Sequence, residues 1–402
     1  MKYIVILCDG MADEPLEELN GKTPMEVAHT PNLDRLAKSS EIGMVQTVPD
    51  GMAPGSDTAN LSVIGYDPKE YYTGRSPLEA LSVGVDMSPT DISFRCNFVT
   101  LSEEESAYED KRILDHSAGE ISTEDASILM EALVQGIRRA GYEFHLGTSY
   151  RHLLIHQYGS IVQLTPPHDI LTQRIGEYLP QDTVLRQMME ESYKILNDHP
   201  LNQERREKGL NPANSVWFWG AGTTPSLTSF QEKYEKKAAM ISAVDLLKGI
   251  AVGAGIDNIQ VEGANGGLHT NYVGKAEAAV DALAVDGYDF VYVHIEAPDE
   301  MGHQGNVEHK IQAIEKIDEY VIGTIIGELE DIRMDFRVMV LPDHPTPICK
   351  RTHTTDSVPY LLYDSRKKMD GKEIYSEKTG AETGIFEKEG YRLLSHLFEM
   401  DL

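Results

Sequence analysis

Six residues of this 402-residue chain have the types and spacing of a metal centre: Asp9, Asp299, His303, Asp343, His344 and His353. Asp299 and His303 stand four apart, and on a helical turn that spacing puts carboxylate and imidazole on one face, suited to a single ion. Asp343 and His344 adjoin, and His353 follows within Arg351-Thr352-His353. Three carboxylates and three imidazoles suffice for two ions sharing a cleft. A hard or borderline divalent cation such as Mn²⁺ or Zn²⁺ takes that mixture. Taken singly, each acid reads more readily as a helix N-cap and each histidine as an ordinary hydrogen-bonded group; the joint pattern is what points to metal.

Ser56 is the candidate nucleophile, in Pro54-Gly55-Ser56-Asp57-Thr58. A helix is expected to begin just after it, so backbone N–H groups could hold a phosphoryl oxygen there. A metal ion could lower the hydroxyl pKa. The local sequence fits an N-cap serine equally well.

These residues follow particular elements. Asp9 ends the apolar run Tyr3–Cys8, Glu296 and Asp299 follow Phe290–Ile295, and Asp343 and His344 follow Arg337–Leu341. Such runs read as buried parallel strands, and ligand sites in open α/β sheets lie beyond strand carboxyl ends. Further strands are expected at Ala238–Val244, Ile259–Glu262 and Tyr360–Tyr363. Helices are expected after Thr30-Pro31, at Asp57–Gly65, Asp245–Gly253 and Gly274–Val285, and at Val307–Leu329. Strand–helix alternation at both ends implies an α/β fold, one mostly parallel sheet with helices on both faces. The middle has another character, with strands expected at Ile92–Leu101 and Arg151–His156 and helices at Thr123–Ala140 and Thr183–Leu196. Residues 1–70 and 236–402 are therefore expected to form one discontinuous domain and 71–235 an inserted α+β cap domain.

Lys and Arg number 36 against 65 Asp and Glu, a net charge of −29. So acidic a surface repels nucleic acid and anionic membranes, and an anionic substrate would need cations gathered at its site. No apolar run approaches the ~20 residues of a membrane span. Three scattered cysteines argue against a disulfide framework and, with no secretory leader in evidence, for a cytoplasmic protein. Nothing in the sequence specifies an oligomer.

Blocks of the chain resemble a known family. They are Cys8–Asp13, Ala28–Asp34, Gly55-Ser56 through Pro68, Gly74–Ala80, Phe94–Asn97, Trp217–Gly220, Glu296–His303 and Asp343-His344. In order and content they look like the archaeal-type cofactor-independent phosphoglycerate mutases of the alkaline phosphatase superfamily. The resemblance implies interconversion of 2- and 3-phosphoglycerate, a small phosphorylated acid, through phosphorylated Ser56. It implies one ion on Asp299, His303 and His353, and another on Asp9, Asp343, His344 and the Ser56 oxygen. No nucleotide or organic cofactor is implied. Lys275 would pair with the phosphoryl group. Arg95, Arg151 and Asp115 are candidates for the sugar-acid end, or else solvated surface charges.

The chain departs from that pattern at Asp115–Glu120, where Glu120 stands near a glycine that family members flank with arginine. That departure keeps open a related metal-dependent phosphotransferase of the homoserine kinase kind, or a phosphomonoesterase. Mutase chemistry needs water kept from the phosphoserine while glycerate turns, a task an inserted domain can perform by closing. A metal-storing or partner-binding protein is the non-enzymatic alternative.

Overall fold

A computed structural model describes residues 1–367 and 369–399. The chain divides into two compact units, Met1–Tyr72 with Ser226–Leu402, and Thr73–Pro225. The expected boundary at 235 therefore moves back by ten residues. Phe230 lies in the Phe230–Tyr234 helix, and its ring stacks on Phe290 of the first unit at 5.1 Å, which ties that helix to the first unit.

Among the described residues the first unit carries an eight-stranded sheet. Lys2–Cys8 runs at its centre, parallel to Phe290–Ile295 on one side and to Phe336–Leu341 on the other. The strand Ala238–Ile241 extends the sheet in parallel beyond Phe290–Ile295. Val358–Asp364, the expected last strand, pairs antiparallel with both Phe336–Leu341 and Glu41–Val45. The strand expected at Ile259–Glu262 lies instead at Asp257–Asn258, where two residues pair with Ala239 and Met240 before the chain leaves the sheet.

The central strands are buried along nearly their whole length, as continuous apolar runs require. Side chains alternate across the sheet. Val291, Val293 and Ile295 enter the largest apolar cluster, while Tyr292 and His294 face the other way. Helices Tyr272–Ala284 and Gly323–Asp331 supply Ala276, Ala279, Leu283, Ile325 and Ile326 to the same cluster. The long helical stretch expected from Val307 is α-helical except for a π-helical segment, Ile317–Ile322. Within that segment Asp318 accepts from the backbone N–H groups of Asn32 and Leu33. It thereby caps the Pro31–Ala37 helix, for which Thr30 makes no side-chain cap bond.

The second unit is built on antiparallel pairing. Ile92–Leu101 lies between Arg151–His156 and Ser215–Thr223, and Tyr142–Thr148 pairs with Arg151–His156. Helices Thr123–Gly136 and Thr183–Leu196 bury Leu129, Leu133, Leu185 and Met188 in a core shared with Trp217 and Phe218.

No helix among the described residues is long and apolar enough to cross a membrane.

Candidate active site

Three strand ends of the first unit deliver their polar residues to one place. Asp9 follows Lys2–Cys8, Asp343 and His344 follow Phe336–Leu341, and the helix Ala297–Gln304 starts just past Phe290–Ile295 with Asp299 in its first turn and His303 in its last. Gly10 permits the approach. Its φ is +59°, and a Cβ there would lie 2.5 Å from Thr346 Oγ1 and 2.6 Å from Asp299 Oδ1.

Two groups of convergent donors result. Asp9, Asp343 and His344 form one, fully buried, and Asp299, His344 and His353 another. His303 Nε2 lies 2.9 Å from His353 Nε2 and 3.2 Å from Asp299 Oδ2, and His353 Nε2 lies 3.4 Å from Asp299 Oδ1. His344 Nε2 lies 3.6 Å from Asp9 Oδ1 and 3.4 Å from Asp343 Oδ2. All six expected ligands are thus gathered in two adjoining groups, with His344 common to both.

Ser56 Oγ lies 3.2 Å from His344 Nε2. The Ser56–Val63 helix has Gly55 as its N-cap residue, so Ser56 is the first helical residue and not the cap. Its hydroxyl points at His344 and closes no helix end. Asn60, one turn on, donates through Nδ2 to Asp343 Oδ2 and to the Ser56 carbonyl, both at 2.8 Å, and accepts from the Tyr292 hydroxyl at 2.6 Å.

The electrostatics are those of a cation site. Burial raises the Asp9 pKa well above the carboxylate range, and Asp343, Asp299 and Glu296 nearby raise it further. Burial opposes ionisation of Asp299 as well, but hydrogen bonds from His303 and His353 outweigh it and hold the group well below its usual value. His303 is pushed up to about 9, chiefly by its hydrogen bond to Asp299. Burial lowers the His344 pKa. Asp9 Oδ1 is buried and has no hydrogen-bond partner among the described residues. Buried polar atoms are ordinarily paired. An orphaned carboxylate oxygen beside Asp343 and His344 suits one divalent cation, and the Asp299, His303 and His353 donors suit a second.

Lys275 sits elsewhere than on an open phosphoryl site. It is fully buried, and Nζ donates to Glu296 Oε2 at 3.1 Å and to the His294 carbonyl at 2.9 Å. Direct contact with a phosphoryl group would require Nζ to leave that pair.

The second unit holds its own cationic cluster. The Arg95 guanidinium lies 4.2 Å from the Trp219 ring, and its Nε is 2.9 Å from Glu79 Oε2 without hydrogen-bond alignment. Arg75 Nε donates to Glu79 Oε1 at 3.0 Å. Glu79 is half-buried, and Arg95 and Arg75 outweigh the effect of burial and hold its carboxyl below the usual range. Arg151 is exposed, over the Tyr150 ring. Asp115 belongs to the backbone instead. It accepts from the N–H groups of Ser117 and Gly119, the Ser117 hydroxyl and Asn211 Nδ2, and so shapes the turn that carries Glu120.

Sequence reasoning passed over His294 and Asn60. His294 lies within an apolar strand, and its Nε2 is 2.9 Å from Asp9 Oδ2. Asn60 reads as one more polar residue of a short helix. The signal for both was parity with Tyr292 on one sheet face and the one-turn spacing from Ser56.

Comparison with known proteins supplies the lineage. A family model described as 2,3-bisphosphoglycerate-independent phosphoglycerate mutase matches residues 37–202. A 2,3-bisphosphoglycerate-independent phosphoglycerate mutase from Methanosarcina barkeri is 47% identical over 385 residues, 94% of each chain. A solved structure from Pyrococcus horikoshii superposes with TM-score 0.82 at 32% identity, covering 99% of this chain and 97% of that one. That of a cofactor-independent phosphoglycerate mutase from Thermoplasma acidophilum gives 0.66 at 29% identity over the whole of both chains.

Proposed function

This chain belongs to the 2,3-bisphosphoglycerate-independent phosphoglycerate mutase family, and on that premise we propose that it is an isomerase interconverting 2-phosphoglycerate and 3-phosphoglycerate through phosphorylated Ser56. The observation that carries the reading is the Ser56 hydroxyl at the start of a helix, 3.2 Å from His344 Nε2, which itself lies 3.6 Å from the orphaned Oδ1 of Asp9.

Divalent cations, Mn²⁺ or Zn²⁺, held by Asp9, Asp343 and His344 and by Asp299, His303 and His353, would favour the ionised serine and offset phosphoryl charge. Ser56 Oγ attacks phosphorus while the bond from phosphorus to the glycerate oxygen breaks. The released oxygen takes a proton, leaving glycerate and phospho-Ser56. The other glycerate hydroxyl then loses its proton as it attacks the phosphoserine, which restores Ser56 and yields the isomer. Asn60 holds Asp343 and the Ser56 carbonyl in fixed relation throughout. We assign the carboxylate end of the substrate to Arg95 and Arg151 of the second unit, bidentate-capable cations of the kind that recognise carboxylates. The net charge of −29 makes such local cations necessary for an anionic substrate.

The test is incubation with 3-phosphoglycerate and Mn²⁺, with product coupled to enolase. Formation of 2-phosphoglycerate is expected; inorganic phosphate alone would mark a phosphomonoesterase and overturn the reading. Ser56→Ala is expected to lower turnover at least ~10⁴-fold, since the covalent route is then closed. Retained mutase activity in that variant would refute the phosphoserine.

A further inference from the structure

We propose that His294 is a positioning residue that fixes the Asp9 carboxylate so that its Oδ1 stays available to a divalent cation. The proposal rests on the metal-dependent reading above and deepens it.

His294 is fully buried at the fifth position of the Phe290–Ile295 strand, in register with Leu7, two residues before Asp9. Its imidazole faces a carboxylate at each ring nitrogen. Nε2 is 2.9 Å from Asp9 Oδ2, and Nδ1 is 3.1 Å from Glu296 Oε1 and 3.1 Å from Ser242 Oγ. Glu296 is held in turn. Its Oε1 accepts from the Ala243 N–H at 3.2 Å and its Oε2 from Lys275 Nζ, which also reaches the His294 carbonyl. Burial would keep Glu296 protonated, but His294 and Lys275 outweigh it and bring its carboxyl down to about 2. A buried chain of four side chains therefore runs Lys275–Glu296–His294–Asp9, and it ends in an asymmetry. Asp9 Oδ2 is engaged, whereas Oδ1 has no partner among the described residues and faces His344.

The physics favours this over a packing role. A carboxylate rotates freely about its terminal bond unless one oxygen is tied. Buried networks of this kind rigidify only when every member is satisfied, and here the single unsatisfied atom is the one at the donor cluster. Partners that orient a ligand from behind are typically worth 10–100-fold in metal affinity. The burial of Lys275 follows as well: it neutralises Glu296 and so anchors the relay.

The test is Mn²⁺ titration of the full chain stripped with chelator, the free ion followed by electron paramagnetic resonance. Asp9→Asn identifies which of the two sites depends on Asp9. His294→Leu is expected to weaken that site about 10–100-fold and leave the other unchanged. His294→Gln keeps an amide N–H toward Asp9 and is expected to restore affinity to within severalfold. Glu296→Gln keeps the fold's volume, loosens the ring, and is expected to weaken the same site severalfold. Wild-type affinity at both sites in His294→Leu, or equal weakening of both sites, would overturn the proposal. If circular dichroism shows His294→Leu unfolded, Glu296→Gln decides, and unchanged binding there overturns it equally. Site-selective loss in His294→Leu, with no mutase activity in the wild-type chain, would keep the relay and refute the function; mutase activity in the wild type with unchanged metal binding in His294→Leu would do the reverse.

Discussion

Asn60 ties together three parts of the site through one side chain: the nucleophile's helix, the Asp343 carboxylate and the sheet residue Tyr292. Truncating it strands the Tyr292 hydroxyl and one Asp343 oxygen in a buried site, each worth roughly 1–3 kcal/mol when unpaired. Asn60→Ala is therefore expected to destabilise the protein by about 2 kcal/mol and to lower kcat ~10-fold or more with a smaller change in KM. Urea unfolding and steady-state kinetics on one preparation check both. At this scale the sequence was partly transparent. Asp9, Asp343 and His344 are legible because they fall just past the ends of apolar runs. His294 is not, since a histidine inside Phe290–Ile295 reads as a strand residue, and only the opposing carboxylates reveal its task. Lys275 was expected at the phosphoryl group from the family resemblance alone, and its pairing with Glu296 is a tertiary fact that the local sequence does not carry.

Among the elements, the strand Arg151–His156 carries a titration of its own. His152 is buried against the Phe98 ring, its Nδ1 accepts from the Gly147 N–H, and its Nε2 has no partner among the described residues. Burial, reinforced by Arg151, pushes its pKa down to about 3. The unfolded chain binds this proton near pH 6.5 and the folded chain only near 3, so stability present above pH 6.5 is lost as pH falls through that window. Between pH 7 and 5 the loss from this group is about 2 kcal/mol. His152→Asn, which keeps an acceptor for Gly147, is expected to lack that component; urea midpoints of both proteins at the two pH values measure it. Long central strands were legible as elements because continuous apolar runs bounded by Asp-Gly or Pro admit little else. The Glu41–Val45 strand and the two-residue Phe386–Glu387 strand were not. At the sheet margin pairing is set by the neighbours and not by the segment's own pattern.

For the molecule as a whole, three buried carboxylates meet in a chain already 29 charges negative, so cation binding and folding are linked. A ligand at 100 times its Kd adds about 2.7 kcal/mol per site. Mn²⁺ is expected to raise the Tm of the chelator-treated protein by several degrees and EDTA to reverse it, while Asp9→Asn with Asp299→Asn loses the response; calorimetry with and without metal reads this out.

The first unit is assembled from two stretches of the polypeptide that lie on either side of residues 73–225. During synthesis Lys2–Cys8 leaves the ribosome well before its two sheet neighbours, which begin at Phe290 and Phe336. At roughly 5–20 residues per second it waits tens of seconds with its apolar face uncovered. The continuous stretch Thr73–Pro225 is complete long before then and can fold while its host is still unfinished. The donors Asp9, Asp299, Asp343, His344 and His353, drawn from distant stretches of the chain, can come together only after the last of them has emerged.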